Sequence, residues 1–317
     1  MFKRSLVALC LLAGPALAQT WPSQPVRLVV PYAAGGATDV IARVLAEGMS
    51  ARLPHRILVE NRTGAGGNIG AEAVARAAPD GQTLLFTNIG HAVLRAIYPR
   101  LTYDPVQDLA PISIVAESPM VLLAANRMPD TIQGFVAALR AEPGKFEYGT
   151  TGGGGALQLA ALLFLRASNT QMIEVPYRGG SPATLDLAAG RIAMLYDAGL
   201  TAFATARGGQ ARALAVSSPR RSAVAPDVPT VAEAGFPDAT MVVWQAVMAP
   251  AATPTPIQDR IAASIATTLA DTELAARLAG LGAERLVGGT PAEARVYVAT
   301  ETARWEPIMR AAGVTAQ

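Results

Sequence analysis

Val26-Arg27-Leu28-Val29-Val30-Pro31-Tyr32-Ala33-Ala34-Gly35-Gly36-Ala37-Thr38-Asp39 is the stretch that decides the fold. Val26 to Val30 is a compact apolar run of strand length, and Pro31 ends it. Tyr32 to Gly36 reads as a turn, and Thr38-Asp39 as the start of a helix. Val40, Ile41, Val44, Leu45 and Met49 then fall at helical spacing on one side, and Leu53-Pro54 stops the pattern. A strand that runs straight into a helix is half of a βαβ unit, so the pattern should recur.

It does recur. Arg56 to Glu60 reads as a strand, Gly64 to Gly67 as a loop, and Asn68 to Ala78 as a helix. Pro79-Asp80-Gly81 then turns the chain into a strand over Thr83 to Asn88. Strands alternating with helices predict a mainly parallel sheet with helices on its faces, the strand ends sharing one edge. Pro111 to Val115 and Val121 to Ala124 are strand-like. Asp130, with Gln133 three residues on, is a candidate helix cap for the ridge Ile132, Phe135, Val136 and Leu139. A second set follows: strand Phe146 to Thr150, helix Ala156 to Ala167, strand Met172 to Pro176, a helix to Ala189, and strand Ile192 to Tyr196, closed by Asp197. The tail reads as helical. Thr255-Pro256 offers a cap and a proline, Ile257, Ile261, Ile265 and Leu269 form a ridge, and Thr290-Pro291-Ala292-Glu293 is a capping box before Trp305, Ile308 and Met309. Two α/β halves with helical ends imply two lobes, with linkers expected near Glu117-Ser118-Pro119 and Trp244 to Pro250.

The first residues read as an export signal. Lys3 and Arg4 are followed by a short apolar run from Leu6 to Leu12, a break at Gly14-Pro15, and small residues in Ala16-Leu17-Ala18. Cleavage is expected between Ala18 and Gln19, which removes the one cysteine, Cys10, and with it any disulfide or thiol chemistry. Leu9 stands where a lipoprotein signal needs a small residue. The chain has 26 basic and 24 acidic residues, and losing Lys3 and Arg4 leaves 24 of each. That neutrality argues against nucleic acid as a partner. The hydrophobic fraction is 51% but aromatics are only 5%, so the excess is largely alanine, and no later run is long and apolar enough to span a bilayer.

Four loops share one design of strand end, small residues and helix start: Tyr32 to Asp39, Thr63 to Gly70, Thr150 to Gln158, and Tyr177 to Ala183. A helix start exposes unpaired N–H groups and a partial positive charge, and glycine lets an anion approach that backbone closely. Two such loops on each lobe, facing across a gap, would hold carboxylate oxygens through backbone alone. Hydroxyls of Thr38, Thr150, Thr151 and Ser181 could add donors. Any one of these loops is better read as a tight βα turn, as periodic α/β proteins of any function have such loops; the four together are what points to a site.

Other chemistries find less in the chain. Gly64-Ala65-Gly66-Gly67-Asn68-Ile69-Gly70 departs from a dinucleotide fingerprint, because Ile69 stands where the third glycine is needed, and no phosphate-loop lysine is present. His55 and His91 stand apart, with no cysteine or carboxylate cluster to complete a zinc site, and no serine sits in a G-x-S-x-G elbow. A hydrolase using His91 is the competing enzymatic reading. Asp39 and Asp197 read as groups that order helix starts and loops, and Lys145 as a solvated turn residue. No cofactor and no metal is expected.

The opening run Trp21 to Arg27 with Val30 to Asp39 resembles the Bug family, receptors of tripartite tricarboxylate-type transport systems. Val59 to Gly70, Pro79 to Leu85, Val175 to Gly179, Ala213 to Val216 and Pro226 to Gly235 continue the match in order. The resemblance implies an α/β, two-lobed, type II-like periplasmic binding protein with two crossover strands and no enzymatic activity. Residues 1–18 would be the signal, 19–118 plus 244–317 one lobe, and 119–243 the other. It implies a small carboxylate ligand, a membrane permease or a sensor protein as partner, and a monomer. Carried onto this chain, Tyr32, Gly35, Gly36, Thr38 and Asp39 form the first-lobe grip, with Thr87 and Asn88 at the next strand end. Thr150, Thr151, Gly153 and Gly155 face them, and Tyr177 and Asp197 close the site. The family commonly reads Gly-Ser-Ser-Gly-Asn-Gly-Thr and then Ser-His-Leu in the second-lobe loop. Here Gly155 lacks the hydroxyl, Leu157 replaces the serine and Gln158 the histidine, which implies fewer donors, more room, and a bulkier or less polar ligand.

Overall fold

The computed structural model describes residues 21–314; the export signal, Cys10 and the expected cleavage point lie outside the described residues. The chain opens as β1 (Val26–Val30), α1 (Ala37–Ser50), β2 (Ile57–Asn61), α2 (Asn68–Ala75), β3 (Thr83–Asn88), the short α3 (Leu94–Ile97) and the long β4 (Leu109–Ser118). It then crosses to β5 (Met120–Ala124), α4 (Ile132–Ala141), β6 (Glu147–Thr150), α5 (Ala156–Ser168), β7 (Ile173–Pro176), α6 (Gly180–Ala188), β8 (Met194–Ala198), α7 (Gly199–Arg207) and β9 (Arg212–Val216). It returns as β10 (Val243–Pro250) and ends with α8 (Thr255–Leu269), α9 (Thr272–Gly280), β11 (Arg285–Gly288) and α10 (Pro291–Ala311).

Two sheets result, one of six strands in the order β11-β4-β10-β3-β1-β2 and one of five in the order β7-β6-β8-β5-β9. Each is mixed rather than mainly parallel. β1, β2 and β3 run parallel, as do β6, β7 and β8, while the strands next to the crossovers pair antiparallel. The parallel trios come from the βαβ repeats, whose helical crossovers force one direction. β4 leaves the first sheet and β10 re-enters it, so these two strands lie side by side with opposite sense.

Trp244 to Pro250, read above as a linker, is instead most of β10, buried along its length between β3 and β4. A strand covered on both faces shows no alternation, so its apolar run carries no period to read. The actual passage between sheets is narrow and hydrogen-bonded. Ser217 donates its N–H to the Met120 carbonyl (2.8 Å), its hydroxyl donates to the Met241 carbonyl (2.8 Å), and the Met241 N–H reaches the Ser217 carbonyl (2.8 Å). Two caps also differ from expectation. Thr131, not Asp130, caps α4 by accepting the Gly134 N–H, and Pro254 precedes α8 without a side-chain cap. The capping box at Thr290 and Glu293 is present.

The C-terminal helix locks onto the returning strand. Trp244 and Trp305, both fully buried, donate their indole N–H groups to one Glu301 oxygen at 3.2 and 3.1 Å. Replacing Trp305 with alanine removes a large buried ring and one of those bonds, and should cost roughly 3–5 kcal/mol. Urea denaturation checks it: the midpoint should fall sharply with little change in the denaturant slope.

Candidate functional site

Because β1, β2 and β3 are parallel, their C-terminal ends share one edge, and the chain leaves that edge into α1, α2 and the turn before α3. The C-terminal ends of β6, β7 and β8 likewise share an edge and lead into α5, α6 and α7. The two edges face each other. A Cβ on Gly66 would run into the Gly153 carbonyl oxygen; one on Gly90 would lie 3.4 Å from the Gly154 carbonyl oxygen. A Cβ on Gly154 would meet Ile97 and Val93 of the first lobe at 2.6 and 2.7 Å.

Around this edge the helices begin without side-chain caps. The residues preceding α1, α2, α5, α6 and α7 are Gly36, Gly67, Gly155, Gly179 and Ala198, and none provides a side-chain acceptor for its helix. Away from the edge Thr131 caps α4, Asp271 caps α9 and Thr290 caps α10, while α8 follows Pro254 without a side-chain cap. An uncapped first turn leaves N–H groups for another acceptor and carries about half a positive charge. Five such starts lie along the two facing edges, and helix starts of this kind are suited to receive anions.

Side chains hold this backbone in place. Asp39 is buried at the first turn of α1. Its Oδ2 accepts from the Gly35 N–H (2.8 Å) and Arg43 Nε (2.9 Å), and its Oδ1 from Asn61 Nδ2 (2.8 Å). Burial raises its pKa, but the bonds from Arg43, Gly35 and Asn61 outweigh that and hold the carboxyl below its ordinary value. Tyr32 donates to Asn88 Oδ1 (2.7 Å), and Asn88 Nδ2 donates to Thr38 Oγ1 (2.9 Å), with Thr87 Oγ1 3.3 Å from the phenol. Burial pushes the Tyr32 phenol up to about 12, so it serves as a neutral donor.

The match to known proteins is extensive. The profile of the tripartite tricarboxylate transporter family receptor covers residues 41–314. The chain belongs to that family. BugT of Bordetella pertussis is 34% identical over 305 residues, spanning 95% of this chain and 93% of its own. The solved structure of Rpa4515 from R. palustris with adipate is 32% identical, with a TM-score of 0.85 over 93% of this chain and 99% of that one. MatC from Rhodopseudomonas palustris with bound malate is also 32% identical, with a TM-score of 0.82 over 91% and 100%. This chain is thus a solute-binding receptor and not an enzyme.

In the receptor the expected site residues divide into those that reach the gap and those that build it. Gly35, Gly36, Thr38 and Asp39 form the α1 start, with Thr87 and Asn88 behind it, and Asp39 works as the loop-ordering group read from sequence. Thr150 is fully buried, and its hydroxyl is committed: it donates to Glu174 Oε1 (2.5 Å) and accepts from the Gly152 N–H (3.0 Å). The Tyr177 phenol turns along α6 to Asp186 Oδ2 (2.8 Å), leaving its backbone N–H on the Thr150 carbonyl (2.7 Å). The Thr150 hydroxyl is therefore not the free donor that its strand-end position implied, and the Tyr177 phenol is engaged as well. Thr151 and Ser181 are exposed at the starts of α5 and α6, and Gly153 and Gly155 line the same loop. Asp197 is buried, its Oδ1 accepts its neighbour's N–H (Ala198, 2.8 Å), and burial raises its pKa. Arg178, the one cation within the four loops, is exposed and in no ion pair among the described residues.

The extra room expected at Gly155 is not found. The Thr151 hydroxyl stands where a Cβ on residue 155 would go, so a hydroxyl lost from one position is present from the other. Nor is Gln158 a vacancy, since its Oε1 accepts the Gly154 N–H (2.9 Å) and its Nε2 donates to Glu174 Oε1 (2.8 Å). Sequence reasoning missed Asn61, which also donates to the Tyr32 carbonyl (3.0 Å), and Glu174. Asn61 carried a signal, as asparagine is unfavourable at a strand end unless its amide is needed. Glu174 carried none, because a charged residue in an edge strand reads as solvated. Two surface cavities, of about 540 and 490 Å³, lie around α10 on the far side of the first lobe and do not involve these loops.

His91 is withdrawn from solvent, and among the described residues its single hydrogen-bond partner is the Pro105 carbonyl, 3.0 Å from Nε2, with no hydroxyl or carboxylate bonded to the ring to form a triad. Burial holds its pKa down to about 4. The unfolded chain takes up this proton below about pH 6.5 and the folded chain resists it. The stability from the neutral ring is therefore complete above pH 6.5 and declines as pH falls toward 4. Chemical denaturation from pH 7.5 to 4 should show a decline of up to roughly 3 kcal/mol attributable to this ring, flattened by that amount in His91→Asn.

Proposed function

We propose that the receptor captures a small organic carboxylate between its lobes in the periplasm and presents it, as a monomer, to the permease of a tripartite tricarboxylate transport system. The observation that carries this reading is that five helix starts along the two facing edges, those of α1, α2, α5, α6 and α7, follow residues that offer no side-chain cap. Two proteins of the same fold at 32% identity hold the dicarboxylates adipate and malate, which supports the ligand class.

In this reading one carboxylate sits on the α1 start, against the N–H groups beyond Gly36 and the Thr38 hydroxyl, with Tyr32 and Asn88 fixing the loop. The opposite lobe offers the Thr151 and Gly153 backbone and the α6 start at Ser181. The second-lobe loop uses the N–H groups of Gly152, Gly154 and Gly155 on itself and leaves those of Thr151 and Gly153. Thr150, Tyr177 and Asp39 support this surface without touching the ligand, and buried Asp197 favours a guest with a donor group on that side. Residues 19–118 plus 244–317 and residues 119–243 move as the two units, hinged at Ser217, Met120 and Met241, after removal of the leader following Ala18.

A thermal-shift panel of organic acids tests the proposal. A dicarboxylate at a hundred times its Kd should stabilise the fold by roughly 2.7 kcal/mol, and the matching diamide should not. Equal stabilisation by acid and diamide, or by none of the acids, rejects a carboxylate ligand. Pull-down from membranes that captures a sensor protein in place of permease subunits rejects the transport partner.

A further inference from the structure

Three successive glycines in the second-lobe loop, Gly152, Gly153 and Gly154, take left-handed φ angles of +62°, +57° and +76°. A free stretch of this kind has more backbone conformations open to it than any other sequence, so its shape must be imposed from outside. The restraint comes from two side chains of the same lobe that lie outside the glycine run. Glu174, in the edge strand β7, accepts on Oε1 from both the Thr150 hydroxyl (2.5 Å) and Gln158 Nε2 (2.8 Å). Gln158, 4% exposed in α5, accepts the Gly154 N–H on Oε1, while the Thr150 oxygen accepts the Gly152 N–H. The carboxylate thus pins both ends of the glycine run, through Thr150 to Gly152 and through Gln158 to Gly154. The pinned run is the part of the second lobe that seats against Gly66, Gly90, Val93 and Ile97 of the first.

We propose that Glu174 and Gln158 are positioning residues for lobe closure. They hold the Gly152–Gly154 run in the one shape that docks on the first lobe, and so set how much of the population is closed and competent to hold ligand. The inference rests on the gap between these loops being the binding site. Affinity for a guest held only by the closed form scales with the closed fraction, so loosening the run weakens binding without removing any group that touches the guest.

The test compares four variants of the full chain. Glu174→Ala and Gln158→Leu remove the restraint. Glu174→Gln keeps an oxygen that accepts from both partners. Gly66→Ala is a control that blocks docking from the opposite side, because its methyl meets the Gly153 carbonyl only when the lobes are shut. In the ligand-free chain, amide exchange at Val93 to Ile97, on the lobe Glu174 does not touch, should rise in Glu174→Ala, Gln158→Leu and Gly66→Ala and stay at the wild-type level in Glu174→Gln. A lesion confined to the second lobe would leave those first-lobe amides alone. For the acid that stabilises the wild type most in the panel, the same three variants should bind about tenfold more weakly, with Glu174→Gln within threefold of wild type. Unchanged exchange at Val93 to Ile97 in Glu174→Ala and Gln158→Leu overturns the proposal, as does unchanged affinity. If no acid binds the wild type, the carboxylate reading fails on its own, and the exchange comparison alone decides this one.

Discussion

Helix starts that lack a cap are costly to leave facing each other. Each first turn exposes N–H groups that no side chain satisfies and concentrates about half a positive charge. In this receptor two sets of them, at α1 and α2 on one lobe and α5, α6 and α7 on the other, lie across a gap narrow enough for Gly66 and Gly153 to touch. Without a guest, like partial charges oppose one another as the lobes approach. An anion between them turns each repulsion into a hydrogen bond. The free-energy difference that closure needs is thus built into the backbone, and the ligand supplies it by being present in one state and not the other.

The rest of the structure serves that constraint. A backbone site has little margin for error, because an N–H that points a few tens of degrees away from its acceptor contributes little. The first lobe solves this with a carboxylate turned inward: Asp39 ties Gly35, Arg43 and Asn61 together and never faces the gap. The second lobe solves it in the same way from another direction, with Glu174 collecting Thr150 and Gln158. In each lobe an acidic side chain fixes a glycine-bearing loop whose own job is to receive negative charge. Each carboxylate is thus engaged by groups of its own lobe, Asp39 through both oxygens and Glu174 through Oε1.

Local order was legible in the sequence where the signal is local. β1 and β3 lie where their apolar runs end, α5 starts at Ala156 as its glycine loop predicts, and the Thr290 capping box forms. Family-specific blocks located the loops and the strand ends. What failed was what depends on side-chain contacts made only once the chain is folded. Thr150 reads as a donor at a strand end, but whether its hydroxyl meets ligand or Glu174, 24 residues on, depends on β6 and β7 pairing in register. The Tyr177 phenol is engaged by Asp186, nearly two turns into α6. Gly155 reads as a gap until Thr151 is seen to fill it. β10 was misplaced for a different reason: a central strand covered on both faces has no period, so a proline at its end was the loudest feature.

Closure also explains why the two lobes share more than a hinge. One apolar cluster runs without interruption from Leu85, Val93 and Ile97 in the first lobe to Leu122, Phe164 and Leu195 in the second. Part of that continuity is permanent, around Met120 and Val243 where the strands cross. Part exists because Gly154 reaches Val93 and Ile97. Those side chains lose contact and meet water when the lobes separate, so opening exposes apolar surface and is resisted, while the facing helix starts favour it when the gap is empty. In the proposed closure these two terms oppose each other, and a guest of the right charge tips the balance. A tighter apolar seam would hold the receptor shut without ligand, and a looser one would let the anion leave; three glycines, which carry no side chain to enlarge the contact, keep the seam small.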